Sequence, residues 1–256
     1  MRYFIALAGV MLAGLASAPA ALTQEHHEQA PLPKQSWSFN GPFGTFDRAA
    51  MQRGFQVYKE VCSNCHGMKE LYYRNLSSIG LSEAQVRAVA ASVTVPGGTN
   101  DSGEPVERAG LPSDHLRSPF ANDKAARAAN GGALPPDQSL IVKAREGGAD
   151  YIHALLTGYE DPPAGVTVGE GLHYNKYMAG NQIAMAPPLQ DDIIAYADGT
   201  PATVEQMSRD VTQYLAWSSN PEMEARKRMG VRVVVFLTLL TGLTYMLKKK
   251  IWKDVH

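Results

Sequence analysis

Cys62-Ser63-Asn64-Cys65-His66 forms a C-x-x-C-H run that uses both cysteines of the 256-residue chain. On a helical turn, positions i, i+3 and i+4 share one face. Two thiols on that face can reach the two vinyl groups along one porphyrin edge, while the histidine falls beneath the iron. The spacing therefore predicts a covalently attached c-type haem, one per chain, with Cys62 and Cys65 as thioether sulfurs and His66 as an axial ligand. Other uses of a cysteine pair fit less well. A structural zinc site needs four N/S ligands, and there is no second pair. A thiol–disulfide oxidoreductase places its pair at the start of a helix after a strand, whereas this pair follows a helical pattern. A plain disulfide is the bland option for an exported chain.

The opposite haem face needs a second ligand. Met68 lies too close to His66 in sequence to cross over, leaving His115, His153, His173, Met178, Met185 and Met207. His153 and Met207 fall in helical patterns, where packing or solvation is their ordinary role. Met185 sits in Ile183-Ala-Met-Ala-Pro-Pro-Leu189, a segment that Pro187 biases toward extended backbone and stiffens. A rigid loop with small neighbours suits a thioether ligand, with Met178 and then His173 as alternatives. Histidine–methionine ligation closes both axial positions and raises the potential, which favours electron transfer over oxygen chemistry.

The two ends predict a membrane protein. Met1-Arg2-Tyr3, an apolar run from Phe4 to Ala16 and a small-residue exit form a signal-peptide pattern over residues 1–24. Gly230 to Leu247 is a second long apolar run of about 27 Å as a helix. Arg226, Lys227 and Arg228 precede it, and Lys248, Lys249 and Lys250 follow. An exported body (25–224), a transmembrane helix (225–247) and a cytoplasmic tail (248–256) are the expected units. The body then lies outside the cytoplasm, with the C-terminus inside; for the bacterial family that the residues below resemble, this implies a haem domain in the periplasm on the inner membrane. Formal net charge is −1, so the global basic field of a nucleic-acid binder is missing.

Between the ends, residues 25–45 read as an extended arm and Phe46 to His66 as a helix, from Gly54, Phe55, Tyr58 and Val61 at helical spacing. Residues 94–138 read as a looping insertion with a short helix near Asp123–Ala129. Leu140 to Leu156 is helical but broken at Gly147-Gly148, and 157–201 returns to loop. Thr203-Val-Glu-Gln206 opens a helix ending near Asn220-Pro221. Strand signals are sparse.

These residues resemble the cytochrome c1 family, the haem-bearing subunits of quinol–cytochrome c oxidoreductases (cytochrome bc1 complexes), in its bacterial form. The likeness is carried by Arg53-Gly-Phe-Gln-Val-Tyr-Lys-Glu-Val-Cys-Ser-Asn-Cys-His66, Ala128-Ala-Asn-Gly-Gly-Ala-Leu-Pro-Pro-Asp137 and Ala144-Arg-Glu-Gly-Gly-Ala-Asp-Tyr151. Leu155-Leu-Thr-Gly-Tyr159, Ala184-Met-Ala-Pro-Pro188, Asp198-Gly-Thr-Pro-Ala202 and Arg226-Lys-Arg-Met-Gly230 extend it. The resemblance implies a mainly α fold: a class I cytochrome c domain with long loop insertions and one C-terminal transmembrane helix. It implies Met185 as sixth ligand, Arg145 and Tyr151 on the haem propionates, and a pocket lined by Asn130, Ala133, Pro135, Pro136, Ile141, Leu155 and Ile183. It further implies an electron donor in the Rieske iron–sulfur protein, a cytochrome c acceptor, cytochrome b beside the membrane helix, and no acid–base catalysis by the chain itself. A free-standing anchored cytochrome donating to a terminal oxidase or photosynthetic centre is the alternative. Some bacterial members carry an extra disulfide in the loop region. This chain has no cysteines for it, so the loop over 157–185 must be braced otherwise, with Pro162 and Pro163 as candidates.

Overall fold

The computed structural model describes residues 30–254. The segment expected as a signal peptide lies outside the described residues. Six α-helices carry the fold: α1 (Arg48–Glu60), α2 (Glu83–Ala91), α3 (Asp123–Ala129), α4 (Gly148–Thr157), α5 (Val204–Ser219) and α6 (Met223–Ile251). Among the described residues, strand is confined to two small antiparallel ribbons. One pairs β1 (Thr94–Thr99) with β2 (Pro105–Ala109); the other pairs β3 (His173–Tyr174) with β4 (Gln182–Ile183). The chain is thus mainly helical, with the long C-terminal apolar helix that its sequence implies.

Helix α1 starts where Asp47 accepts a hydrogen bond from the Ala50 amide (3.1 Å), satisfying a free N-terminal donor. It buries Met51, Gly54, Phe55, Val57 and Tyr58 on one stripe. Helix α5 is buried around nearly its whole circumference from Met207 to Ser219, because α1 and α4 both pack on it. A Cβ at Gly54 would sit 2.0 Å from the Asp210 carbonyl oxygen and 2.8 Å from Tyr214 Cβ. Only glycine lets the two backbones approach this closely. Beside that crossing the Arg53 guanidinium grips buried Asp210 through two bonds (2.8 and 3.0 Å) and reaches Asp198 with its remaining nitrogen (3.0 Å). Phe55, Tyr58 and Trp217 ring Tyr214 at centroid distances of 5.6 to 5.8 Å.

The arm over residues 30–45 is laced onto the core. Trp37 donates its indole N–H to Asp150 of α4 (2.7 Å), Gln35 accepts from Arg209, and Ser38 accepts from Gln213 of α5. Local order extends to the stretch after the C-x-x-C-H motif, for which the sequence carried no assignment, and into the insertion over 94–138 that reads as loop. Ser82 and Gln85 form a reciprocal capping box that starts α2, and β1–β2 is a hairpin inside the insertion. The capping box was missed because α2 is short and weakly amphipathic. The ribbon was missed because Pro96, Gly97 and Gly98 break strand alternation at a bulge.

Gly54→Ala forces α1 off α5 and is expected to cost about 3 kcal/mol, the upper end for an overpacked core. Chemical denaturation should show a lower midpoint at unchanged slope; a wild-type midpoint would mean the crossing relaxes without cost.

Candidate functional site

Helix α1 ends where the Val61 amide bonds back to Val57 (2.9 Å), and Cys62–Asn64 continue as a single 3-10 turn. The amides of Cys65 and His66 both bond to the Cys62 carbonyl (3.1 and 2.9 Å). The five-residue motif is therefore a tight turn closing α1 rather than the helix continuation suggested by its spacing. Cys62 packs against the core, Cys65 is exposed, and both thiols are free. Burial pushes the Cys62 thiol up to about 12, which disfavours the thiolate that exchange chemistry requires.

His66 is buried, and its Nδ1 lies 2.7 Å from the Pro136 carbonyl oxygen. A carbonyl only accepts, so Nδ1 carries the proton and Nε2 keeps its lone pair for a metal. Burial also lowers the proton affinity of the ring, partly offset by the Pro136 bond, which favours the neutral form a metal needs. The carbonyl is held in place by its neighbours. Gln138 N donates to Gly67 O (2.8 Å), Lys69 N to the Asp137 carboxylate (2.9 Å) and Glu70 N to Ser139 Oγ (3.0 Å). Ser218 and Ser219 of α5 both donate to the Ser139 carbonyl (3.2 and 3.3 Å). The end of α5 thus helps orient the imidazole.

The six candidates for the opposite ligand separate by what surrounds them. His153 is buried with Nδ1 on Ser208 Oγ (2.8 Å) and Nε2 on a Glu205 carboxylate oxygen (3.3 Å), so both ring nitrogens are engaged. Met207 is fully buried in the core. His115 is exposed and stacks on Tyr72 at 4.0 Å. His173 lies in β3 opposite Ile183, and Met178 sulfur accepts from Tyr151 Oη (3.5 Å). No hydrogen bond engages the half-buried Met185 sulfur among the described residues, while its backbone carbonyl is held by Tyr159 Oη (3.0 Å).

The loop leading to Met185 is braced by two asparagines. Asn175, fully buried, donates to the Leu155 carbonyl (2.8 Å) and accepts from the amides of Tyr177 and Met178 (3.0 and 3.2 Å). Asn181 adopts a left-handed backbone (φ 56°) and donates to the Lys176 carbonyl (3.1 Å). Lys176 N also bonds to Gly158 O (3.1 Å). Pro162 and Pro163, the proposed braces, are exposed. Sequence reasoning passed over both asparagines, although Asx-type side chains among glycines are the available signal for such a turn.

The remaining expected residues fall around these two loops. Ile141 and Tyr151 are buried; Asn130, Ala133, Pro135, Leu155 and Ile183 are half-buried; Arg145 and Pro136 are exposed. The Asn130 amide is spent capping its own helix at Ala126 O (2.7 Å), and Arg145 donates to the Ala144 carbonyl (3.1 Å). Burial raises the Tyr151 pKa, while the Arg145 cation nearby pulls it back. The donor set fits a c-type haem: two free thiols, an imidazole in the required tautomer, a thioether without a hydrogen bond among the described residues, and Arg145 N–H groups left over for a carboxylate.

A helical scaffold that presents a C-x-x-C-H turn at the end of one helix packed on another places the chain in the class of haem proteins. The Cytochrome C1 family profile matches residues 37–255. Cytochrome c1 of Rhodospirillum rubrum is 47% identical over 262 residues, covering 96% of each chain. The mitochondrial cytochrome c1 haem protein of Kluyveromyces lactis is 47% identical over 93% of this chain and 82% of its own. The cytochrome b/c1 protein of Bradyrhizobium diazoefficiens is 50% identical over 88% of this chain, which spans 36% of that longer protein. The chain belongs to the cytochrome c1 family. It is accordingly an electron-transfer subunit of a cytochrome bc1 complex, a membrane-anchored haem protein.

His153 supplies a test of how the α4–α5 contact titrates. Burial lowers its pKa despite the attraction of Glu205, with the Arg209 cation also opposing protonation and Asp150 favouring it. Above about pH 6.5 the ring is neutral folded and unfolded, so it adds no slope. Below that the unfolded chain takes up a proton that the folded state resists, and stability falls. The thermal midpoint should therefore drop from pH 6.5 to 5, and His153→Gln should flatten that drop.

Proposed function

We propose that Cys62 and Cys65 bind one haem covalently, that His66 and Met185 are its axial ligands, and that Arg145 and Tyr151 hold its propionates. Asn130, Ala133, Pro135, Pro136, Ile141, Leu155 and Ile183 line the pocket. The observation that carries this reading is the 2.7 Å contact from His66 Nδ1 to the Pro136 carbonyl. It supports the Nδ1–H tautomer, which leaves the Nε2 lone pair available as a ligand. Bound haem supplies reversible one-electron chemistry. The chain's own residues orient the ligands, exclude water and neutralise carboxylates; none needs to move a proton or form a bond to substrate.

In this reading residues 1–24 are a removed signal, 25–224 are the exported haem domain, 225–247 cross the inner membrane and 248–256 remain in the cytoplasm. The chain takes an electron from a Rieske iron–sulfur protein and gives it to a cytochrome c on the periplasmic side. Cytochrome b packs beside α6, a pairing supported by the joint naming of cytochromes b and c1 in the Bradyrhizobium relative. The helix has the length and hydropathy to span, and its apolar surface from Met229 to Trp252 is exposed, as a helix that meets lipid or a neighbouring helix should be. Isolated, the chain is an electron carrier, and oxidoreductase activity belongs to the complex.

Two measurements test the site. Met185→Leu should lower the midpoint potential by on the order of 0.1 V or more, since axial ligands dominate haem potentials; an unchanged potential would reject Met185 as ligand. Cys62→Ser with Cys65→Ser should leave no haem stain on a denaturing gel, and haem retained there would sink the covalent assignment.

A further inference from the structure

The junction between the haem domain and α6 carries an open surface hollow that electron transfer does not use. It has a volume of about 470 Å³ and is lined by Phe39, Asn40, Gly41, Asn220, Met223, Arg226 and Lys227. Its apolar walls are an aromatic ring and a thioether; its polar groups are two amides and two cations, and no carboxylate lines it.

The surrounding charges are distributed unevenly. Two acids flank Met223: exposed Glu222 makes no ion pair among the described residues, while the other, Glu224, is fully committed. It accepts from the Phe46 amide (2.8 Å), pairs with Arg48 (2.7 Å) and lies 3.9 Å from Arg228. Arg226 and Lys227, between those partners, pair with no carboxylate among the described residues. Arg226 donates from one nitrogen to Asn220 Oδ1 (2.5 Å). Lys227 places its ammonium on the Phe39 and Gly44 carbonyls (2.7 and 3.0 Å), which fixes the charge without neutralising it. Both cations keep N–H donors to spare.

The hollow also has a definite depth. From Met229 onward the large apolar side chains of α6 are exposed, so in a bilayer the hydrocarbon would begin two to three residues beyond Lys227 and Arg226. At 1.5 Å per residue the two cations lie within about 6 Å of that boundary, in the headgroup layer. We propose that this hollow binds the headgroup of an anionic phospholipid. The phosphodiester would sit between Arg226 and Lys227, the glycerol side against Phe39 and Met223, and the acyl chains along the exposed face of α6. A lipid held here would brace the arm residues 39–44 against α6 and so fix the tilt of the haem domain on the membrane. The inference needs only that α6 crosses a bilayer and is indifferent to which face the domain occupies.

The test uses the full haem-loaded chain in dodecyl maltoside, stripped of native lipid. It also carries Lys248→Gln, Lys249→Gln and Lys250→Gln to remove the cationic cluster at the far end of α6. Native mass spectrometry then measures binding of dihexanoyl phosphatidylglycerol, dihexanoyl phosphatidylcholine and inorganic phosphate. One phosphatidylglycerol should bind at least tenfold more tightly than either of the others. Arg226→Gln should weaken it about tenfold, the loss of one charge-assisted hydrogen bond. Asn40→Asp, which adds a carboxylate without touching α6, should weaken it likewise, while Arg228→Gln should not. Equal binding of the two lipids would overturn the proposal, as would phosphate binding as tightly as phosphatidylglycerol. So would Arg226→Gln and Asn40→Asp both leaving phosphatidylglycerol affinity unchanged with haem absorption intact.

Discussion

The close approach of α1 to α5 at Gly54 is the constraint on which the rest of the molecule depends. With a missing Cβ on one side and the Asp210 carbonyl on the other, the helices touch backbone to backbone. Any wider crossing would also pull Arg53 off Asp210, leaving a buried carboxylate without its cation, a loss of about 3 to 5 kcal/mol for such pairs. The haem motif lies immediately beyond α1, and the Ser139 carbonyl that anchors the loop under His66 is held by Ser218 and Ser219 at the end of α5. The same contact therefore sets both where the motif emerges and what orients its imidazole.

From that base, the two loops that carry the proposed ligands' surroundings are fixed by different means. The Pro136–Ser139 side is pinned by hydrogen bonds to residues 67–70, just after the motif, so its geometry is local to the motif. The Met185 side hangs from the end of α4 through Asn175, Asn181 and Tyr159. A buried asparagine with every polar atom satisfied is a strong local specifier, because loosening the loop would strand those groups away from water. That is how a chain without a cross-linking disulfide keeps a long loop in one conformation.

The membrane helix is continuous with the electron-transfer domain rather than tethered to it. Glu224 and Lys227 of α6 bond to Phe46, Arg48, Phe39 and Gly44, and the arm that receives them runs on to α4 and α5 through Trp37, Gln35 and Ser38. Position relative to the bilayer and orientation of the haem-facing helices are thus coupled through one strip of chain.

Much of this was legible from one dimension. The C-x-x-C-H spacing, the stripe on α1, the Thr203 cap and the apolar run after Arg226 are local patterns, and local patterns dictate helix existence and the kind of cofactor chemistry. What they could not decide were relations between residues distant in sequence. Pro136 is 70 residues from the histidine whose tautomer it sets, and Ser208 is 55 residues from the His153 nitrogen it occupies. Asn175 reads as an ordinary loop residue until the Leu155 carbonyl arrives beside it. The motif itself shows the division: sequence alone determined that Cys62, Cys65 and His66 share one turn, because their spacing puts them there. Only the tertiary structure decided that His66 offers Nε2 and not Nδ1, because that choice belongs to a carbonyl which folding, not spacing, brings within 2.7 Å.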